Sequence, residues 1–212
     1  MAIQTQGSTG NVLEVDTSFK AARATLRPHE ALSWNSIGAQ TGGITGLAAA
    51  APIFAFRNIS ANPILVRRVG LGYVNITVFT VAQIVDFGLM VARNWTVSDS
   101  GGTAIALTGS NGKHRTSLGT PTSADCRIAA AAALTAGTRT LDANTLSQIG
   151  VWSQSALSSL AAMDNLLKHD PSDYPLVLAQ NEGVIIQNLT AMGAAGVGKL
   201  YVNFEFAEVA AY

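Results

Sequence analysis

The clearest pattern in the chain lies near its end. From Lys199 to Phe206 apolar and polar positions alternate strictly. Leu200, Val202, Phe204 and Phe206 fall on one side, and Tyr201, Asn203 and Glu205 on the other. Side chains of a strand point alternately to its two faces, so this segment reads as a strand with one face on a core and one toward water or a partner. Just upstream, apolar runs from Pro175 to Leu178 and from Val184 to Ile186 flank the polar Gln180–Gly183 cluster, the pattern of strand, tight corner, strand.

The same reading extends backwards through the chain. Residues 52–57 give a short strand. Residues 64–73 give a longer one, with Leu65, Val69, Leu71 and Tyr73 sharing a face with Arg67. Gly70 and Gly72 within it mark a bulge or a close backbone approach. Residues 81–95 place Val85, Phe87, Leu89 and Val91 on one face. Asp86, Gly88 and Ala92 lie on the other, and Met90 and Ile84 make that face partly apolar too, as expected of a strand covered on both sides. Residues 125–134, 145–152 and 19–26 are further strand candidates. Residues 40–51 read as a surface loop or a short helical turn. Only residues 156–168 carry a helical spacing, through Leu157, Leu160, Ala161 and Leu167, and one helix is expected there.

About eight strands with uneven connections and no internal repeat predict an all-β domain. Closing or pairing sheets removes the exposed edges of such a chain. A two-sheet jelly-roll sandwich with at most one substantial helix is the expected fold. An immunoglobulin-like sandwich is the alternative. Residues 1–18 are polar and rich in Gly, Ser and Thr, and read as an N-terminal arm; residues 19–212 form the single jelly-roll domain.

Composition changes the picture in one respect. Charged residues are 12% of the chain and hydrophobic ones 48%, against roughly 25% charged in ordinary soluble domains. A surface so poor in charge suits packing against other subunits, since interface cores lose charge. Thirteen basic and thirteen acidic residues leave no net charge, hence no long-range field to draw nucleic acid or an anionic membrane. Arg67-Arg68 and Lys113-His114-Arg115 are too short for a basic stripe. No basic n-region or apolar h-region opens the chain, and no run reaches the ~20 apolar residues of a spanning helix. The expected setting is the cytosol, soluble or assembling there. The lone Cys126 excludes an intrachain disulfide and reads as a small buried residue.

Candidate chemistry thins out on inspection. Ser98-Asp99-Ser100-Gly101-Gly102 contains the Asp-Ser-Gly-Gly found around the nucleophile of chymotrypsin-like proteases, and His29, Asp86 and Ser100 follow that chain order. Asp86 and Ser100 are too close in sequence for that fold, and the surroundings of His29 do not match, so the cluster reads as a turn. Gly109–His114 lacks the spacing of a phosphate-binding loop and reads as a hairpin tip, and Gly193–Gly198 as a flexible loop. His29, His114 and His169 have no paired ligand spacing for zinc. Asp164, Asp170 and Asp173 read as a solvated loop rather than a cation site. The Asn-X-Ser/Thr sequons at Asn58, Asn75, Asn94 and Asn188 read as chance matches. No catalytic, metal or cofactor residues are assigned.

Four stretches carry a family resemblance: Arg93 to Thr103, Arg115-Thr116-Ser117, Ala136 to Asp142, and Pro175 to Gly183. Together they resemble tailed-bacteriophage structural proteins, small jelly rolls of the virion surface, over most of residues 50–209. The resemblance implies a non-enzymatic virion component, assembled in the host cytoplasm. It implies a capsid decoration (cement) protein, often trimeric, bound to the major capsid protein or other virion proteins. A head or tail fibre or spike component is the alternative. No active-site residue, cofactor, nucleic acid or membrane comes with it.

A homotrimer is also expected from the second faces of the strands, which are small and apolar at Ile84, Gly88, Met90 and Ala92, and at Tyr201 and Val209. The rival from another class is a carbohydrate-binding module. It would need an exposed Trp or Tyr beside carboxylates, with Trp34, Trp95 and Trp152 available. Trp95 and Trp152 sit at strand ends, where core packing is expected.

Overall fold

The computed structural model describes residues 31–108, 112–121, 124–153, 163–169 and 174–210, together with the short strands at 15–16 and 21–22. Those two, β1 (Val15–Asp16) and β2 (Ala21–Ala22), pair antiparallel with each other. The rest of the expected arm and of the expected strand over residues 19–26 lies outside the described residues.

Among the described residues twelve strands follow: β3 (Ala31–Gln40), β4 (Pro52–Asn58), β5 (Ile64–Thr77), β6 (Gln83–Arg93), β7 (Thr103–Ala104), β8 (Ala124–Ile128), β9 (Thr140–Leu141), β10 (Ser147–Ser153), β11 (Asp164–Lys168), β12 (Leu176–Leu178), β13 (Gly183–Asn188) and β14 (Val197–Val209). They form two antiparallel sheets. One runs β10-β6-β13-β4-β8-β7 with β9 also on β6; the other runs β11-β5-β14-β3 with β12 also on β5.

The pairing is nested. β3 pairs with β14, β4 with β13, β5 with β11 and β6 with β10. The earliest long strand meets the last, the next meets the one before it, and so inward. Alternate members of the series fall into opposite sheets. This is the jelly roll, and the fold expectation holds. The strands expected over residues 64–73, 81–93, 183–189 and 199–206 are β5, β6, β13 and β14 at the centre of the two sheets.

The core forms where the inward faces meet. Phe54 and Phe56 of β4 face Phe204 and Phe206 of β14, with Phe56 4.5 Å from Phe204 and 4.7 Å from Phe206 between ring centroids. Tilted aromatic pairs of this kind contribute about 0.5–1.5 kcal/mol beyond their buried area. The alternation read from residues 199–206 holds: Leu200, Val202, Phe204 and Phe206 are buried.

Three readings are corrected. Residues 164–168 are strand, not helix: β11 pairs with β5 from Asp164↔Leu71 to Lys168↔Arg68. The first part of the expected helix, residues 156–162, lies outside the described residues. In β5, Leu65 does not share the inward face of Val69, Leu71 and Tyr73. The register against β14 shifts between Glu205↔Arg68 and Phe206↔Val66, which inserts Arg67 as an extra residue and swaps faces there. Ile64 and Val66 join the core cluster instead.

The third correction concerns the small, apolar second faces. Gly88, Met90 and Ala92 of β6 are buried within this chain. A Cβ on Gly88 would sit 2.7 Å from Leu189 and 2.9 Å from Thr145. The chain's own loops therefore cover that face. Val209 is buried too, and its N–H donates to Pro63. Of the positions on which the trimer expectation leaned, Ile84 and Tyr201 remain accessible.

Candidate functional site

Two regions gather polar side chains. The first is one end of the sandwich, where loops 93–102, 135–142 and 179–182 meet. Trp95 N–H donates to the Asn181 carbonyl, Thr96 N–H to Thr138, and Ser100 and Thr135 exchange both backbone bonds. Arg93 is gripped by Asp142 and Glu182, whose hydrogen bonds hold its guanidinium above its ordinary range, Asp142 first. Arg57 donates to Ser98 Oγ at 2.9 Å and to Asn181 Oδ1 at 2.8 Å. Beneath them Trp95 is buried, its Nε1 on the Val97 carbonyl, with the Arg139 guanidinium 4.8 Å above the ring.

Arg139 pairs with Asp99, which also accepts from the Gly137 N–H. Both side chains are almost fully buried. Burial pulls the guanidinium down to about 10, so it is still cationic at neutral pH and matched to a carboxylate. The Asp99 of the Asp-Ser-Gly-Gly turn is thus a loop anchor. Ser100 is exposed on a two-residue bridge. Asp86 accepts from Thr190 instead, at 3.2 Å. His29 lies outside the described residues. Among the described residues the protease-like order assembles no triad.

The second region is the outward face of the five-stranded sheet. Register places Gln40, Gly38 and Ser36 of β3 beside Tyr201, Asn203 and Glu205 of β14. The same three β14 residues lie beside Gly72, Gly70 and Arg68 of β5. Gly38 and Gly72, in the strands on either side of β14, lower the surface to backbone level. A groove of about 620 Å³ lies there, between Gln40, Val74, Met163 and Tyr201 over Gly38 and Gly72. A second hollow of about 230 Å³ adjoins it through Gly38 and Asn203, and is bordered by Ser36, Arg68 and Glu205.

A network steadies the polar end. Trp34 Nε1 donates to Glu205 Oε1 at 2.9 Å, and the Arg67 Nε lies 3.9 Å from the same oxygen. His114 stacks on Trp34 at 4.6 Å and its Nε2 lies 2.6 Å from Ser36 Oγ. Arg68 Nε donates to Asn165 Oδ1 at 2.7 Å. A serine hydrogen-bonded to a histidine is the beginning of an activated nucleophile, which also needs a carboxylate on the other ring nitrogen. Glu205 is committed to Trp34, and no such carboxylate stands among the described residues. The pair joins residues 112–114 to β3, beside the backbone bonds Ser36 N–H to Gly112 and His114 N–H to Trp34.

The remaining candidates separate. Cys126 is buried, and burial pushes its thiol well up. Asp164 borders a hollow of about 240 Å³ beside Trp152 and Tyr73, whereas Asp170 and Asp173 lie outside the described residues. No group of three or more metal-ligating side chains occurs among the described residues. Asn58, Asn75 and Asn188 of the sequons are buried, and Asn58 and Asn188 donate to backbone carbonyls. Trp95 is in the core as expected; Trp152 is not, being 57% exposed. No helix among the described residues is long and apolar enough to cross a membrane.

Sequence reasoning missed the outward groove. Its signal was present in Gly38, Gly72 and the polar row of β14, but only the pairing of β14 with both β3 and β5 brings these together. Compared with protein-family models, curated proteins and solved structures, the chain matches none.

Proposed function

We propose that this chain is a non-enzymatic structural component of a bacteriophage virion, a trimeric decoration protein that seats on the outer capsid surface and stabilises the shell. The observation that carries the reading is the meeting of three separate stretches at one end of the jelly roll. Arg93 to Thr103, Ala136 to Asp142 and Pro175 to Gly183, which resemble phage structural proteins, are knitted there by the Trp95–Asn181, Thr96–Thr138 and Arg93–Glu182 bonds. A rigid, polar, loop-built end on a sheet scaffold is suited to docking on a lattice. The low charge of the chain fits the same role, because it lowers the desolvation cost of close packing. Its partners would be copies of itself and the major capsid protein.

The test is particle biochemistry. The protein should copurify with intact particles, appear in a reconstruction as protrusions on the capsid exterior, and raise the temperature at which shells open when added back to stripped particles. Density confined to the tail or fibres would replace decoration by the fibre role. Absence from purified particles would sink the virion reading altogether.

A further inference from the structure

We propose that the outward groove of the five-stranded sheet binds a carboxylate-bearing oligosaccharide. The inference does not rest on the virion reading, since it concerns a site on the isolated protein.

The shape comes first. Gly38 and Gly72 leave backbone as the floor of a trough, while Tyr201 and Met163 rise along it. The trough runs from the apolar hollow into the polar one through Asn203. A sugar ring has one apolar C–H face and a rim of hydroxyls. An aromatic ring takes the first; planar amide, carboxylate and guanidinium groups take pairs of the second. Tyr201 supplies the ring, and Gln40, Arg68 and the Asn203 amide, whose Nδ2 donates to Met163 Sδ at 3.1 Å, the planar groups, on β3, β5 and β14. Tyr201 and Gln40 make no side-chain hydrogen bond among the described residues, and Arg68 uses only its Nε. Those donors and acceptors are open to a ligand.

Charge selects the sugar. Arg68 and Lys199 occupy outward positions of β5 and β14, and Glu205, the one carboxylate among the outward positions of β3, β5 and β14, is already matched by Trp34 and Arg67. The free guanidinium edge of Arg68 fits a uronate or sialate carboxylate, for which bidentate pairing is the strong geometry. The site is also held in advance. Arg68 is braced by Asn165 and Glu205 by Trp34, so little side-chain order is lost on binding. A second copy of this chain is a poorer occupant, because it would bury Arg68, Asn203 and Glu205 against a dry surface.

The test uses the purified protein on an array of sialylated and uronate-bearing oligosaccharides with their neutral counterparts. 3′-Sialyllactose, trigalacturonate and lactose are then titrated in solution. Saturable binding of an acidic probe, with lactose at least about tenfold weaker, is expected, since one lost charge-assisted hydrogen bond is worth about tenfold or more. Tyr201→Ala and Arg68→Gln should each weaken it by a similar factor. Gly38→Leu should abolish it. A Cβ there meets only Asn203 Oδ1, at 3.6 Å, so the variant keeps its fold, checked by an unchanged thermal transition, while its side chain fills the trough. Three results overturn the proposal. One is no acidic probe binding on the array; another is lactose binding as well as the acidic probes. The third is Gly38→Leu binding like the parent, or changing the oligomeric state without a glycan effect.

Discussion

At the scale of the residue, the most informative groups are polar ones in the wrong place. Arg139 and Asp99 are buried together, and removing one would leave the other charge stranded. Breaking a buried pair costs about 3–5 kcal/mol, most of it the penalty on the abandoned partner. Arg139→Met is therefore expected to lower stability by about that amount in urea unfolding. Asp99→Asn/Arg139→Met together should recover part of the loss, because no lone charge remains. Equal loss in the single and the double variant would show that the pair acts through its shape alone. Tyr73 is the opposite case. Its hydroxyl is buried with no hydrogen-bond partner among the described residues, and burial alone pushes the phenol pKa up. A buried unmatched hydroxyl costs about 1–3 kcal/mol, so Tyr73→Phe should leave the melting temperature unchanged or raise it. A marked fall would mean that the oxygen has a partner. Cys126 should resist a thiol reagent at pH 8 in the native protein and react at once in denaturant, since only a thiolate attacks and burial disfavours it.

At the scale of the element, legibility followed the contrast between faces. β14 was plain because Leu200 to Phe206 alternate between large apolar and polar groups. β3 was missed although it runs for ten residues. Its inward positions include Ser33 and Asn35, both buried, while Leu32 and Trp34 point outward. The hydrophobic period is inverted there, and only pairing with β14 makes the strand. β11 was read as helix because Leu160, Ala161 and Leu167 fit a 3.6-residue spacing. Partnership with β5 overrode that propensity over its five residues. The bulge at Arg67 was invisible for a similar reason: a register shift is a property of two strands, not of one sequence. The candidate groove suffered most, since its members come from β3, β5, β14 and Met163 just before β11, and no local pattern links them. The central place of β14 between β5 and β3 carries a prediction of its own. Phe204 touches Phe54, Phe56 and Phe206, so Phe204→Ala should cost about 3–5 kcal/mol. In native-state hydrogen exchange the amides of β13 and β14 should open only with global unfolding, whereas those of the edge strands β7 and β11 exchange sooner. Fast exchange in β14 would contradict the layered core described above.

At the scale of the whole molecule, the question is what the exposed apolar groups are for. The loops of this chain cover the outer face of β6 at Gly88, Met90 and Ala92, so they provide no contact surface. Among the exposed apolar side chains of the described residues, four lie around the ends of β5, β6 and β10: Ile76, Val81, Ile84 and Trp152. Ile84 and Trp152 are cross-strand partners, and Asn75 Nδ2 bonds Ser153 Oγ at 2.7 Å, which draws the ends of β5, β6 and β10 together. Ile76 and Val81 flank the turn between β5 and β6, and Val81 is 75% exposed. Four large apolar side chains at one corner favour association, and a closed ring of three would bury the corner on every copy without leaving it free for further growth. Trp152 would then be the anchor, because buried tryptophan dominates interface energies at about 2 kcal/mol or more. Sedimentation equilibrium at micromolar concentration should give three times the 22.0 kDa chain mass, and Trp152→Ser should shift the species toward monomer with an unchanged thermal transition at low concentration. A single species at 22.0 kDa for the parent protein would remove the intrinsic trimer and leave threefold order to be imposed by the shell. A trimer indifferent to Trp152→Ser, Ile84→Ser and Val81→Ser would place its interface elsewhere than this corner.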